Sequence, residues 1–170
     1  MSNSLRLVKQ TNITSTVSAV DFTDVFSSNF DIYQITFSNA DADTTVDVNV
    51  NFINSSGTIL QGSSDYEYAW YRLRNDTFSD VRSTGATTLQ NGLGQFATVG
   101  GSSVGYILNP FSTSSYTFLL SQSGGMSGSE GRMIKFIGVL QRKDRVTGIR
   151  IVASGVNFTT GKVAVYGVRN

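Results

Sequence analysis

Asp65 and Glu67, two positions apart, come closer to a catalytic pair than any other residues in this sequence. On a strand they share a face, at a separation near that of the two carboxylates of a retaining glycosidase. Most catalytic pairs, however, are drawn from different strands, and no further acid, base or cleft signature accompanies this one. The expectation is that the chain is not an enzyme. Histidine and cysteine are both absent, which removes the commonest general base, the commonest zinc ligand, and all thiol and disulfide chemistry. Serine is abundant, but no histidine is present to activate it as a nucleophile.

Four other groups invite a ligand. Asp41, Asp43 and Asp47 place carboxylates at near-alternate positions, a pattern that can hold calcium through oxygen. They lack the glycine and the closing acidic residue of a calcium loop, so an acidic turn that blunts a sheet edge is the expected role, with no metal or other cofactor. Gly92 and Gly94 lie in a glycine-rich stretch, yet no strand-to-helix context makes it a phosphate cradle. Arg142, Lys143 and Arg145 are the one basic cluster in a chain of net charge +1. Such a turn carries cations to stay solvated, and nothing resembles the basic footprint of a nucleic-acid binder. The stripe Tyr66, Tyr68, Trp70 and Tyr71 offers rings that stack on sugars, with Trp70 and Tyr71 the candidate glycan contacts; a stripe at period two is more often core, and Tyr71 alone faces the opposite way.

The elements that must carry these residues are strands. Apolar residues recur at every second position in Tyr33, Ile35 and Phe37; in Val46, Val48, Val50 and Phe52; in Tyr66, Tyr68 and Trp70; and in Val104, Tyr106 and Leu108. The same period continues in Tyr116, Phe118 and Leu120, in Met133 to Val139, in Ile149 and Ile151, and in Val163 and Val165. Alternation of this kind marks half-buried antiparallel strands. It predicts roughly eight strands. Gly, Ser, Asn and Asp-rich stretches at 39–43, 54–57, 124–131, 143–148 and 154–161 are read as turns, and Pro110 as a strand end. No stretch carries a helical period.

At 170 residues with 15% charged side chains, the chain is expected to form one domain, 1–170, with a core that needs no metal or disulfide. Short strands, turn chemistry and the absence of helices predict an all-β, single antiparallel β-sandwich, jelly-roll-like. No secretory signal or membrane span is evident, so a soluble cytosolic product is expected. Residues 83–103, poor in charge and rich in glycine, are read as a long loop or a pair of short strands.

Several segments resemble a recurring family of phage virion proteins, which occur as small tail-region or head-surface proteins and as terminal domains of fibres. Val146-Thr147-Gly148-Ile149-Arg150-Ile151, then Ser154-Gly155 through Asn157-Phe158, then Gly161 to Val168, carry most of the resemblance. Phe30 to Ile35 with Asn39, and Ser63 to Ala69, extend it over most of the chain. Where the family often has an Asp-Gly-Gly turn, this chain has Asn54-Ser55-Ser56-Gly57, in which Gly57 can still supply the positive φ. The resemblance implies a bacteriophage structural protein located in the virion, either a head decoration (cement) protein or a small tail or fibre-associated protein, and it transfers no catalytic residue.

Such a protein works by contact with other copies of itself, a trimer being the expected oligomer, and with other virion proteins such as capsid or tail proteins. Leu89, Leu93, Phe96 and Val99 are awkward to leave in water, and they are the expected assembly interface. The competing reading has the same residues folding back over one end of the sandwich to close its core. A carbohydrate-binding module that recognises host surface glycans is the alternative function.

Overall fold

The computed structural model describes residues 4–127 and 129–169. Twelve strands follow one another without a helix among the described residues: β1 (Leu5–Ile13), β2 (Ala19–Phe22), β3 (Ile32–Ala42), β4 (Val46–Asn54), β5 (Tyr66–Arg74), β6 (Phe78–Ala86), β7 (Gln95–Phe96), β8 (Gly101–Leu108), β9 (Thr117–Ser127), β10 (Glu130–Leu140), β11 (Val146–Ala153) and β12 (Phe158–Val168). They form an eight-stranded sheet, β1-β12-β3-β8-β9-β10-β5-β6, and a four-stranded sheet, β2-β11-β4-β7. The pairings are nested: β3 with β12, β4 with β11, β5 with β10 and β8 with β9, all antiparallel. A long hairpin rolled up on itself gives this pattern, which is that of a jelly roll. The two sheets are unequal, so the sandwich is open on one side.

Alternation decides which face is covered. On β4, Val46, Val48, Val50 and Phe52 are fully buried, and on β3 so are Tyr33, Ile35 and Phe37. These two rows meet in one core, joined by Ile149 and Ile151 of β11 and Val163 and Val165 of β12. At ~25 cal/mol per Å² of apolar surface removed from water, this interior is the main term holding the sheets together. Tyr66 adds a polar tie: its buried hydroxyl accepts from Phe52 N–H at 2.9 Å and donates to Leu60 O at 2.8 Å.

Eight of the strands are those that the alternation predicts; the other four are β1, β2, β6 and β7. β1 and β6 are the two edges of the large sheet, and most of their residues are open to solvent on both faces. With neither face covered, no period-two pattern is required of them. β2 and β7 have only 4 and 2 residues. Several expected turns also shrink, because strands run into them: β3 continues to Ala42 through Asn39, whose φ of 50° marks a local irregularity, and β9 and β10 take up most of 124–131.

Residues 87–97 correct the expectation for the glycine-rich stretch. They run beside β4 as an added edge: Leu89 and Val50 exchange both backbone hydrogen bonds (2.9 and 3.1 Å), Leu93 N–H reaches Val48 O at 3.2 Å, and Val48 N–H reaches Gly94 O at 2.9 Å. The side chains of Leu89, Leu93 and Phe96 thereby enter the core and are fully buried. They are not available to a neighbouring copy. Their burial within the chain removes the need for any partner to shield them, and of the four expected interface residues only Val99, 62% exposed, remains on the surface.

Candidate functional site

With the inner face sealed, the outer face of the large sheet is the surface that stands out. Strand register sets its composition in rows. One row runs Gln34, Tyr106, Leu120, Ile137, Ala69, Arg82 across β3, β8, β9, β10, β5 and β6. The next runs Thr36, Val104, Gln122, Lys135, Tyr71, Asp80 across the same strands. A third places Met133, Leu73 and Phe78 side by side. Cross-strand partners point to the same side of a sheet, so these residues form one continuous surface.

That surface is apolar and open. Tyr71, Leu73, Val104, Tyr106, Leu120, Met133 and Ile137 are each between 36% and 53% exposed, and Phe78 is 66% exposed. Single exposed apolar residues are ordinary; eight on adjacent strands of one face are not. Tyr71, Val104, Tyr106, Leu120 and Ile137 line a trough of about 780 Å³ in this face, with Lys135, Asp80, Arg82 and Gln122 supplying the polar groups. The rings are braced: Tyr71 lies 5.7 Å from the Phe78 ring, and the Tyr106 hydroxyl accepts from Gln34 Nε2 at 3.2 Å.

Trp70 and Tyr71 part company. Trp70 points inward and is only 6% exposed, with the Arg72 guanidinium 5.3 Å from its ring centroid. It is therefore corrected from a glycan contact to a core residue, as the period of the stripe requires of the residue next to an outward Tyr71. Tyr106, legible in the sequence only as a strand residue, shares the outer face with Tyr71 and Phe78.

The carboxylate groups disperse. Asp65 is buried and holds the turn before β5, accepting from Gly62 N–H at 2.7 Å and pairing with Arg142 at 3.4 Å. Asp41 accepts from Thr160 at 3.4 Å and Asp43 from Asn157 at 3.2 Å, both at the start of β12. Asp47 instead turns to residues 87–97, taking Gln90 Nε2 at 3.1 Å and Gln95 Nε2 at 2.6 Å, while the Asn91 amide nitrogen lies 3.0 Å from the same carboxylate. Among the described residues no group of three acidic side chains is placed to hold a metal ion. Asp47 is a latch that keeps Leu89, Leu93 and Phe96 in the core.

The remaining motifs also have structural duties. Gly94 has a φ of 98°, and a Cβ there would overlap the Ser123 side chain. Gly92 accepts from Ser121 Oγ at 2.6 Å through its carbonyl, so this stretch turns its backbone toward β9 rather than toward a phosphate. In the basic cluster, Arg142 pairs with Asp144 at 2.8 Å as well as with Asp65, Lys143 lies 5.7 Å from the Tyr116 ring centroid and Arg145 4.8 Å from that of Phe111. The cations are spread over different partners.

No family model and no curated protein matches this chain. Solved structures with some likeness include the exo-inulinase of Aspergillus awamori (9% identity, TM-score 0.46, 97% of this chain and 30% of the inulinase) and the disulfide-linked pili of Bacillus endospore appendages (10% identity, TM-score 0.30, 99% and 93%). A third is the PL-14 alginate lyase of Aplysia kurodai (8% identity, TM-score 0.27, 82% and 71%). The chain thus spans less than a third of the inulinase.

Proposed function

We propose that this chain is a structural surface component of a bacteriophage particle, a head decoration protein or a small tail or fibre-associated protein, and that it acts by assembling with copies of itself and with other virion proteins. The observation that carries this reading is the uncovered apolar outer face of the eight-stranded sheet. A sheet face that meets only water is normally polar. Here Tyr71, Leu73, Val104, Tyr106, Leu120, Met133 and Ile137 hold that face open to a partner. These residues, with Phe78, lie on β8, β9, β10, β5 and β6, and five strands at ~4.8 Å spacing and ~25 Å length offer about 600 Å², most of the ~800 Å² that each partner buries in a stable complex. The virion assignment itself rests on the sequence resemblance, whose segments become β3, β5, β11 and β12, members of the nested pairs that build the sandwich.

The experiment is incorporation into particles. A phage carrying Leu120→Lys and Ile137→Lys should yield particles that lack the protein although it is made and folded. Normal incorporation of that variant would end the proposal.

The trough favours a second reading, a carbohydrate-binding module. Tyr71 and Tyr106 present aromatic surface beside Gln122, Lys135, Asp80 and Arg82, the mixture of apolar faces and polar groups that sugar rings need. Glycan-array binding lost in Tyr71→Ala and Tyr106→Ala would support it, and an array without signal would remove it.

A further inference from the structure

The opposite side of the same strands holds a feature that neither reading uses. The face of β10 and β5 that turns toward β4 and β7 carries Arg132, Arg74 and Arg72 close together. Arg132 and Arg74 are direct cross-strand partners, and Arg72 is the next inward residue along β5, opposite Ile134. Ser79 of β6 stands across from Arg72 and accepts from its Nε at 3.3 Å.

Three guanidiniums in one patch need anions. Glu130 serves two of them, with one carboxylate oxygen 3.1 Å from Arg132 and 3.5 Å from Arg74. Asp47, the other carboxylate that acts on Arg72, is already taken by Gln90 and Gln95. Gln95 also receives Arg132 Nη1 through its amide oxygen. Three cations therefore face two carboxylates, of which one is committed elsewhere. Burial, and then the neighbouring Arg74 and Arg132, lower the pKa of Arg72 from its ordinary value, against smaller raising effects of Asp47 and Glu130. Among the described residues, three buried donors here lack a hydrogen-bond partner: Arg74 Nε, Arg132 Nε and Trp70 Nε1. A buried donor left without an acceptor is costly, so a cluster of them is a place where an acceptor is missing.

We propose that Arg72, Arg74 and Arg132 form a binding site for a single oxyanion, a sulfate or a carboxylate group. The planar guanidinium fork matches two oxygens of such a group at once. A neutral ligand would leave the like charges uncompensated. The Trp70 ring beneath Arg72 fixes that side chain over the patch. The site faces away from the Tyr71 trough, so it stands or falls independently of the assembly surface.

Isothermal titration calorimetry of the full chain with sodium sulfate and, separately, with sodium acetate tests this, each at constant ionic strength maintained with chloride. Saturable binding of either probe is expected, and which probe binds identifies the anion. Arg72→Gln should abolish it and Arg72→Lys, which keeps the charge but not the fork, should weaken it several-fold. Lys162→Gln on β12, an exposed residue outside both sites, should leave it unchanged. Thermal melts without probe check that each variant is folded. The absence of saturable binding with both probes, or equal binding by folded Arg72→Gln and the native chain, would overturn the site.

Discussion

Ile137 of β10 stands directly across from Leu120 of β9, and both side chains face solvent, at 53% and 36% exposure. Their inward neighbours, Phe136 and Leu119, are buried. The two faces of the same strand pair are therefore both apolar. One face is spent on the core, and the other is free for a partner.

Truncation should separate these roles. Leu89→Ala or Leu93→Ala is expected to cost about 2–5 kcal/mol, as for other buried leucines, whereas Leu120→Ser or Ile137→Ser in the isolated chain should stay within about 1 kcal/mol. Urea unfolding monitored by circular dichroism checks both. Similar costs for the two pairs would show that residues 87–97 do not close the core.

Gly138 makes room for that closure. A Cβ at this position would lie 2.6 Å from Leu89 Cδ2 and 2.8 Å from the Phe136 ring. Gly138→Ala should destabilise the fold by about 1–3 kcal/mol through overpacking, and Leu89→Ala in the same chain should recover part of the loss, so the two changes are non-additive. Strict additivity would mean that the two residues do not compete for the same space.

Asp47 and Asp43 make a matched comparison. Asp47→Ala frees Gln90 and Gln95, and with them residues 87–97, from their tie to β4 and should cost about 1–3 kcal/mol, while Asp43→Ala loses one exposed contact and should cost less than about 0.5 kcal/mol. Calcium should change neither melting temperature. A calcium-dependent rise abolished by Asp47→Ala would restore the metal reading.

Tyr66 gives the fold an alkaline limit. Burial pushes its phenol well above the usual tyrosine value, against smaller opposing effects of the hydrogen bonds from Phe52 and Asn51. The unfolded chain then loses this proton near pH ~10 while the folded chain keeps it, so stability is fully present below that pH and falls as pH rises beyond it. Urea midpoints measured between pH ~9 and ~11 should fall in the native chain and fall less in Tyr66→Phe, whose starting stability is lower because Phe52 N–H and Leu60 O lose their partner. Equal slopes would assign the alkaline loss to other groups.

The covered strands were legible because coverage imposes alternation. Val46 to Phe52 and Tyr33 to Phe37 announce their faces by residue type alone, and the opposite facing of Trp70 and Tyr71 follows from the same period. β1 and β6 were not legible, since an edge open on both sides constrains its side chains little. Leu89, Leu93 and Phe96 show a different limit: an apolar residue in a glycine-rich stretch reads alike whether it meets a partner or folds back, and the deciding backbone bonds to Val48 and Val50 span some 40 positions of sequence. The outer face is not legible in the sequence because Tyr106, Leu120 and Ile137 keep the alternation of their strands; their direction, not their type, makes them a surface, and direction comes from which face the small sheet covers.

The association state of the purified chain tests the assembly surface most directly. Sedimentation velocity over a range of protein concentrations should show a closed oligomer, a trimer being expected, and the Leu120→Lys and Ile137→Lys double variant should sediment as a folded monomer with an unchanged circular dichroism spectrum. A native chain that stays monomeric at every concentration, or a double variant that assembles like the native chain, would contradict the assignment of the outer face as the surface through which this protein works.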